Sequence, residues 1–233
     1  MTITAQSIIK TIAVDDLQDP TSVKWPIPQL ARFFNRIQRD IVVFRPDACV
    51  KQATLALTAG AMQTLPAGGR VLLNVLRNTA GSKRAVTMPK NCRVMLDAQI
   101  PNWRGLTGAT EILHAMYDER DPLHFEVYPP AAANGASLEI VYGGMPTDIA
   151  IPADGTTYTD VTGNMDLLDI FAGAMEEGIK FLCYAKDASF AAQGSRAAAH
   201  LTNFANLLGV EVKSVMQFMA RSDDISGAPA SST

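Results

Sequence analysis

The hydrophobic period of this chain changes twice, and no other feature limits its fold as strongly. Up to residue 44 the apolar positions recur at helical spacing; between residues 50 and 142 they alternate; beyond residue 164 the helical spacing returns. Helices therefore come from both ends of the chain and strands from its middle. The expected class is α+β: a helical bundle built from the N- and C-terminal helices, with an antiparallel β domain inserted. The expected boundaries are residues 1–48 for the first helices, 49–160 for the β domain, 161–212 for the last helices and 213–233 for a flexible, small and polar tail.

Local signals fill in this outline. Thr4 is placed to cap a helix over 4–17 that turns Ile8, Ile9 and Ile12 inward, and Asp19-Pro20 stops it. Pro28 suits the first turn of a second helix, whose stripe is Leu30, Phe33, Phe34, Ile37, Ile41 and Phe44. Strands are expected over 50–58, 71–77, 110–117, 123–128 and 137–142, five or six in all, with a short helix near 91–98. Leu123, Phe125 and Val127 are read as one face of a strand. Asn164 or Asp166 is read as the cap of a helix burying Leu167, Phe171, Met175, Ile179 and Leu182. In the last helix Phe190, Gly194, Ala197, Leu201, Phe204 and Leu208 form a heptad-like seam, with Gly194 read as a close-packing position and Gly209 as the C-cap.

Composition narrows the function. Charged residues are 18% of the chain and apolar residues 48%, which is globular rather than disordered. No run of 18 apolar residues exists, so no membrane span is expected. The stretch MTITAQSIIKTIAVDD is not read as a secretory signal, and the protein is expected to be used without export. Cys49, Cys92 and Cys183 are read as buried, reduced thiols. The net charge is −3, unevenly spread. Residues 51–110 hold eight Lys/Arg and one Asp, a net of +7; residues 111–165 hold nine Asp/Glu and one Arg, a net of −8. Such blocks suit either contacts between copies or two faces of one domain.

Chemistry is hard to find. The chain has no phosphate loop, no dinucleotide fingerprint, no nucleophile elbow and no calcium loop. His114 and His124 fall on neighbouring expected strands without a third ligand, and His200 falls on the last helix, so neither a metal nor a cofactor is expected. Residues 118–121 (DERD) with Pro122 read as a tight turn rather than a carboxylate pair in a pocket. Arg32, Arg36 and Arg39 share one face of the second helix, which suits a partner subunit, DNA phosphate or solvent.

Several longer stretches resemble a known family: 22–48 (SVKWPIPQLARFFNRIQRDIVVFRPDA), 97–103 (DAQIPNW), 109–131 (ATEILHAMYDERDPLHFEVYPPA), 138–149 (LEIVYGGMPTDI) and 165–188 (MDLLDIFAGAMEEGIKFLCYAKDA). Together they resemble the head-to-tail adaptors of tailed bacteriophages, also described as tail tubular or neck proteins. The pattern RDPxxFxVYPP, Arg120 to Pro130, is the most specific part. The resemblance implies a structural virion protein of the neck, made in the bacterial host cytoplasm, with no catalytic residues. It implies a homo-oligomeric ring of about twelve copies beneath the portal protein. That ring extends the DNA channel, docks the tail or next neck protein, and passes DNA without reading its sequence.

On this reading the candidate contacts with neighbouring subunits or the portal are Arg32, Arg36, Arg39, Arg70, Arg77, Lys83, Arg84, Arg221, Asp223 and Asp224. The candidate acidic surface, facing the channel or a neighbour, is Asp118, Glu119, Asp121 and Glu126. Rival readings are a stopper or tail-completion protein of the neck, a DNA-binding accessory protein using the three helix arginines, and a small hydrolase using His114 and Asp118.

Overall fold

The computed structural model describes residues 3–186 and 191–210. These fall into two compact units, one of residues 3–45 with those from 147 onward, the other of residues 46–146. The expected tail over 213–233, and Phe190 of the expected seam, lie outside the described residues. Mixed helix and antiparallel sheet make the class α+β.

The first unit is helical. Helix α1 (Ala5–Lys10) starts at Thr4, whose Oγ1 accepts the Ser7 N–H at 3.2 Å, and runs on through a π-helical turn at Thr11–Asp16. Helix α2 (Ile27–Phe44) carries Pro in its first turn, where the missing N–H costs nothing. Helices α4 (Ala172–Lys186) and α5 (Ala191–Leu208) complete the unit. Helix α2 packs on α4, α4 on α5, and α1 on both α2 and α4. The stripes meet as their spacing requires: Leu30, Phe34, Ile37 and Ile41 of α2, Met175 and Ile179 of α4, and Leu201, Phe204 and Leu208 of α5 are buried. Phe33 and Phe44 are only half-buried.

Two local expectations are corrected. Helix α4 starts at Ala172 after a 3₁₀ turn at Asp169–Phe171, beyond both proposed caps. Asn164 bridges Thr4, and the Asp166 carboxylate accepts the Thr147 N–H at 2.7 Å. The close-packing glycine is Gly178 rather than Gly194. A Cβ on Gly178 would stand 2.8 Å from Ile37 Cγ2 and 3.1 Å from Phe204 Cε2, whereas one on Gly194 meets nothing among the described residues. Gly209 does close α5: at φ +67° it lets Val210 N–H reach Ala205 O and its own N–H reach Asn206 O.

The second unit holds two antiparallel sheets. Strands β1 (Val50–Ala56), β6 (Ser137–Gly144) and β3 (Gly69–Asn78) form one in the order β1-β6-β3. Strands β2 (Gly60–Thr64), β5 (His124–Ala131) and β4 (His114–Tyr117) form the other in the order β2-β5-β4. Helix α3 (Cys92–Gln99) lies between β3 and β4 in sequence. Leu72, Val75, Leu138 and Ile140 of the first sheet share one core with Ala115, Phe125 and Val127 of the second. Ala53 faces Ile140 and Leu55 faces Leu138, the inward register that the alternation predicts.

Strand β2 is absent from the sequence-based expectation. Its buried positions are Ala61 and Gln63, while Met62 points to solvent, so its hydrophobic pattern is inverted. Gln63 is buried because its amide closes the turn before it: Oε1 accepts Thr58 N–H, and Nε2 donates to Thr58 O and Gly60 O. Leu123 does not join Phe125 and Val127. It ends the turn before β5 and is exposed.

Buried amides recur where strands run out. Asn78, fully buried, takes the N–H of Ile112 at 2.8 Å and gives its own N–H groups to Ile112 O at 2.8 Å and Arg84 O at 3.0 Å. Asn35 on α2 does the same for Ile149, at 2.9 and 3.0 Å. One turn later Gln38 accepts the Asp166 N–H at 2.9 Å and donates to Thr147 O. Truncating either asparagine strands a buried backbone pair, so Asn35→Ala and Asn78→Ala should each cost about 2–4 kcal/mol. Urea denaturation of the two variants checks this. A loss under about 0.5 kcal/mol in both, the usual scatter of surface changes, would contradict the role assigned to these amides.

Candidate interaction surfaces

The two charge blocks meet inside one chain. Strands β3 and β6 bring Arg77 opposite Glu139, where the two pair, and Gln52 adds a bond to the same carboxylate at 2.6 Å. The Arg77 and Gln52 bonds together hold the Glu139 carboxyl below its ordinary range. Glu111 is likewise lowered, first by hydrogen bonds from Ser82 and then by the charge of Arg84.

A denser network surrounds Trp103, which is fully buried. Its indole N–H donates to Asp97 at 2.8 Å, and Arg104 lies over its ring at 4.3 Å. Arg104 binds Asp97 at 2.7 Å and Glu126 at 2.8 Å. Arg93 sits 2.7 Å from Glu126, through an Nε that is not aligned for a hydrogen bond, and 3.4 Å from Asp118. Hydrogen bonds from Trp103 and then Arg104 lower the Asp97 carboxyl. The bond to Glu126 leads the causes that raise the Arg104 guanidinium. The cleft beside these groups holds about 170 Å³ and balances two arginines against Asp118, Asp121 and Glu126. Sequence reasoning missed this network. The signal was present in Asp97, Trp103 and Arg104, a polar-edged indole between opposite charges within eight residues.

This geometry redistributes the candidate residues. Glu126 is buried between two arginines and shows no charge to solvent, so it drops out of the acidic surface. Glu119 and Asp121 are exposed and Asp118 is half-buried, all on the turn after β4. There Asp118 accepts the Arg120 N–H and Asp121 accepts from His124 at 2.8 Å. Among the basic candidates Arg77 is occupied by Glu139, while Arg70, Lys83 and Arg84 are exposed. Lys83 sits at φ +55° on the loop between β3 and α3. On α2, Arg39 makes a two-bond pair with Asp148 at 2.9 and 3.2 Å, Arg36 lies 3.7 Å from Asp40, and Arg32 is exposed. The arginine face is thus partly spent within its own unit. Arg221, Asp223 and Asp224 lie outside the described residues.

His114 Nδ1 is 2.6 Å from the Thr87 hydroxyl, at the opposite end of β4 from Asp118, so the two residues suggested for a hydrolase have different partners. The three cysteines are buried and unlinked. Among the described residues no group of three His, Cys, Asp or Glu could hold a metal ion, and no helix is long and apolar enough to cross a membrane.

In the helical unit His200 stacks on Tyr184 and binds Glu177 at 2.9 Å. Burial pushes the Glu177 carboxyl up, but bonds from Lys180, His200 and Asn203 outweigh it and leave it below its ordinary 4.5. Burial pulls Lys180 down, yet Glu177 and Asp16 raise it above its ordinary 10.5. Glu177 therefore adds stability that is present above pH 4.5 and lost as pH falls through its lowered value. Glu177→Gln should melt earlier than the wild type at neutral pH, and the difference should shrink as pH drops below 4.5. A gap that stays constant between neutral and strongly acid pH would contradict this assignment.

The family model described as SU10 adaptor protein matches residues 3–230. No curated protein matches this chain.

Proposed function

The chain belongs to the SU10 adaptor protein family, and from that premise we propose that it is the head-to-tail adaptor in the neck of a tailed bacteriophage. In this reading about twelve copies form a closed heterologous ring under the portal protein. The ring prolongs the DNA channel and presents the docking surface for the tail or next neck protein. The helical segments from both ends of the chain form a bundle carrying the inserted β region. DNA passes through without sequence-specific contact, and the protein carries out no catalysis.

The observation that carries the reading is the family match over residues 3–230. The charge distribution supports it in a narrower form than the sequence blocks suggested. Arg77, Arg93 and Arg104 are spent inside the β unit, so among the candidate residues contacts between copies fall to Arg70, Lys83 and Arg84, which remain exposed. On the acidic side Asp118, Glu119 and Asp121 face a neighbour or the channel. There, negative charge repels DNA phosphates and lets the strand slide. Arg32 and its neighbours Arg36 and Arg39 are assigned to the portal side, together with Arg221, Asp223 and Asp224.

Reversing Arg70, Lys83 and Arg84 together to Glu should leave the melting temperature close to wild type, since all three are exposed and none forms an ion pair among the described residues. The triple variant should restore tails to heads lacking this protein at least about tenfold less well, the effect of losing roughly 1.4 kcal/mol at each docking equilibrium. Full restoration by the triple variant would remove these residues from the interface. Arg77→Glu serves as the contrast: it faces Glu139 and should lower stability itself.

A further inference from the structure

The first sheet of the β unit ends on a strand edge that the fold leaves open. Strand β1 pairs only with β6, antiparallel and without a register shift. Gly144 N–H reaches Cys49 O at 2.9 Å and Leu57 N–H reaches Ala136 O at 3.0 Å, which sets the phase of the ladder. Residues 49, 51, 53, 55 and 57 therefore bond toward β6, and the N–H and C=O of Val50, Gln52, Thr54 and Ala56 point the other way. These outward groups have no backbone partner among the described residues, and all four residues are exposed. The open edge is about 20 Å long.

The other three outer edges are blunted, as strand edges in a lone chain commonly are. Strand β3 has three register irregularities against β6, and residues 84–87 cover its far end: Asn78 N–H reaches Arg84 O and Val86 N–H reaches Leu76 O. The same segment covers β4, with Thr87 N–H on Leu113 O and Ala115 N–H on Thr87 O. Strand β2 is five residues long and irregular between Gly60 and Met62. Segment 84–87 also sends Val86 into the core that the two sheets share. Among the described residues the β1 side has no such covering segment, and Ala53 and Leu55 stay half-buried against that core. The one charge on β1, Lys51, does not guard the edge. A Cβ on Gly144 would stand 2.9 Å from its Cδ, and its ammonium donates to Met145 O at 2.9 Å, so the side chain lies toward β6.

We propose that the β1 edge takes an extended segment of a different protein of the assembly by strand addition, and that this segment is uncharged at alternate positions. The inference deepens the adaptor reading and rests on it for the exclusion of a second copy. Main-chain bonds to Val50, Gln52, Thr54 and Ala56 hold the segment, the general mode by which a free strand edge recruits a peptide. Alternate side chains then cover Ala53 and Leu55, where a charge would lose water without gaining a partner. The remaining side chains lie beside Gln52 and Thr54. A second copy has no matching strand to offer among the described residues. Its β2, β3 and β4 edges are blunted, and β1 against β1 uses up both open edges, so it stops at two copies and cannot propagate around a ring.

Residue-resolved amide exchange and chemical-shift mapping on the full chain test this. In the free chain the amides of Ala53 and Leu55 should be protected by β6, while those of Gln52, Thr54 and Ala56 exchange freely. The probe is a blocked heptapeptide alternating Val and Gln. At saturation it should shift those three amides and slow their exchange by about tenfold, leaving Ala53 and Leu55 unchanged. Two counterparts should bind at least about tenfold more weakly. One carries Lys in place of Val; the other is N-methylated at three consecutive central residues, which blocks both of its main-chain edges.

Three results would overturn the proposal: protection of Gln52, Thr54 and Ala56 in the free, dilute chain equal to that of Ala53, no response to the Val and Gln peptide, or an equal response to its N-methylated form. Equal binding of the Lys peptide would overturn the requirement for uncharged positions. Protection that grows with protein concentration alone would assign the edge to a second copy and overturn the assignment to a different protein. The isolated chain suffices for every arm, so a failure here is separate from a failure to join the portal, which bears on the adaptor reading itself.

Discussion

A buried asparagine that binds both the N–H and the C=O of an isoleucine is the interaction on which the rest of this structure depends. Asn35 grips Ile149 across 114 residues of sequence, and Asn78 grips Ile112 across 34. The first is the harder constraint. The chain leaves the helical unit at Arg45 and rejoins it at Thr147, so the loop that must close contains the whole β unit. Among the described residues no strand receives the returning segment. Asn35 and Gln38, one turn apart on α2, supply the missing partners and set its position residue by residue. Helix α4 can then follow in a fixed frame, and its Gly178 can approach Ile37 and Phe204 without a side chain between them. Two amides on a helix thereby let a helical unit tolerate a large insertion.

Electrostatics in the β unit follow a similar economy. A net of +7 followed by a net of −8 suggests contacts between copies, yet much of that charge is folded against itself. Arg77 meets Glu139 across a ladder, and Arg93 and Arg104 converge on Glu126 beneath Trp103. Partly exposed pairs of this kind add little stability singly. Glu126 differs: it is buried, and losing either arginine would leave its charge undercompensated. Lys83 and Arg84 on one loop and Glu119 and Asp121 on another stay exposed.

Much of the fold was legible because hydrophobic period reports directly which face is buried. The stripe of α2 and the inward register of β1 and β6 follow from it. Strand β2 was not legible, since its inward residues are Ala61 and Gln63 and its outward one is Met62. The start of α4 was misplaced for a related reason. Asp166 has the chemistry of a helix cap but spends its carboxylate on Thr147, a partner 19 residues away that no local pattern discloses. Of the candidate surface, the turn at 118–122 and the exposed cations could be read locally. The burial of Glu126 could not, because it depends on two arginines from other elements arriving together. Buried polar residues resist pattern reading: each is inside because of specific partners, and partners are a tertiary property.

The central claim is that this chain assembles on a portal. Light scattering should measure the mass of the purified protein alone and after mixing with the cognate portal ring. The account predicts that the portal gains the mass of about twelve copies in one discrete complex. A well-folded chain that leaves the mass of the portal unchanged would contradict it.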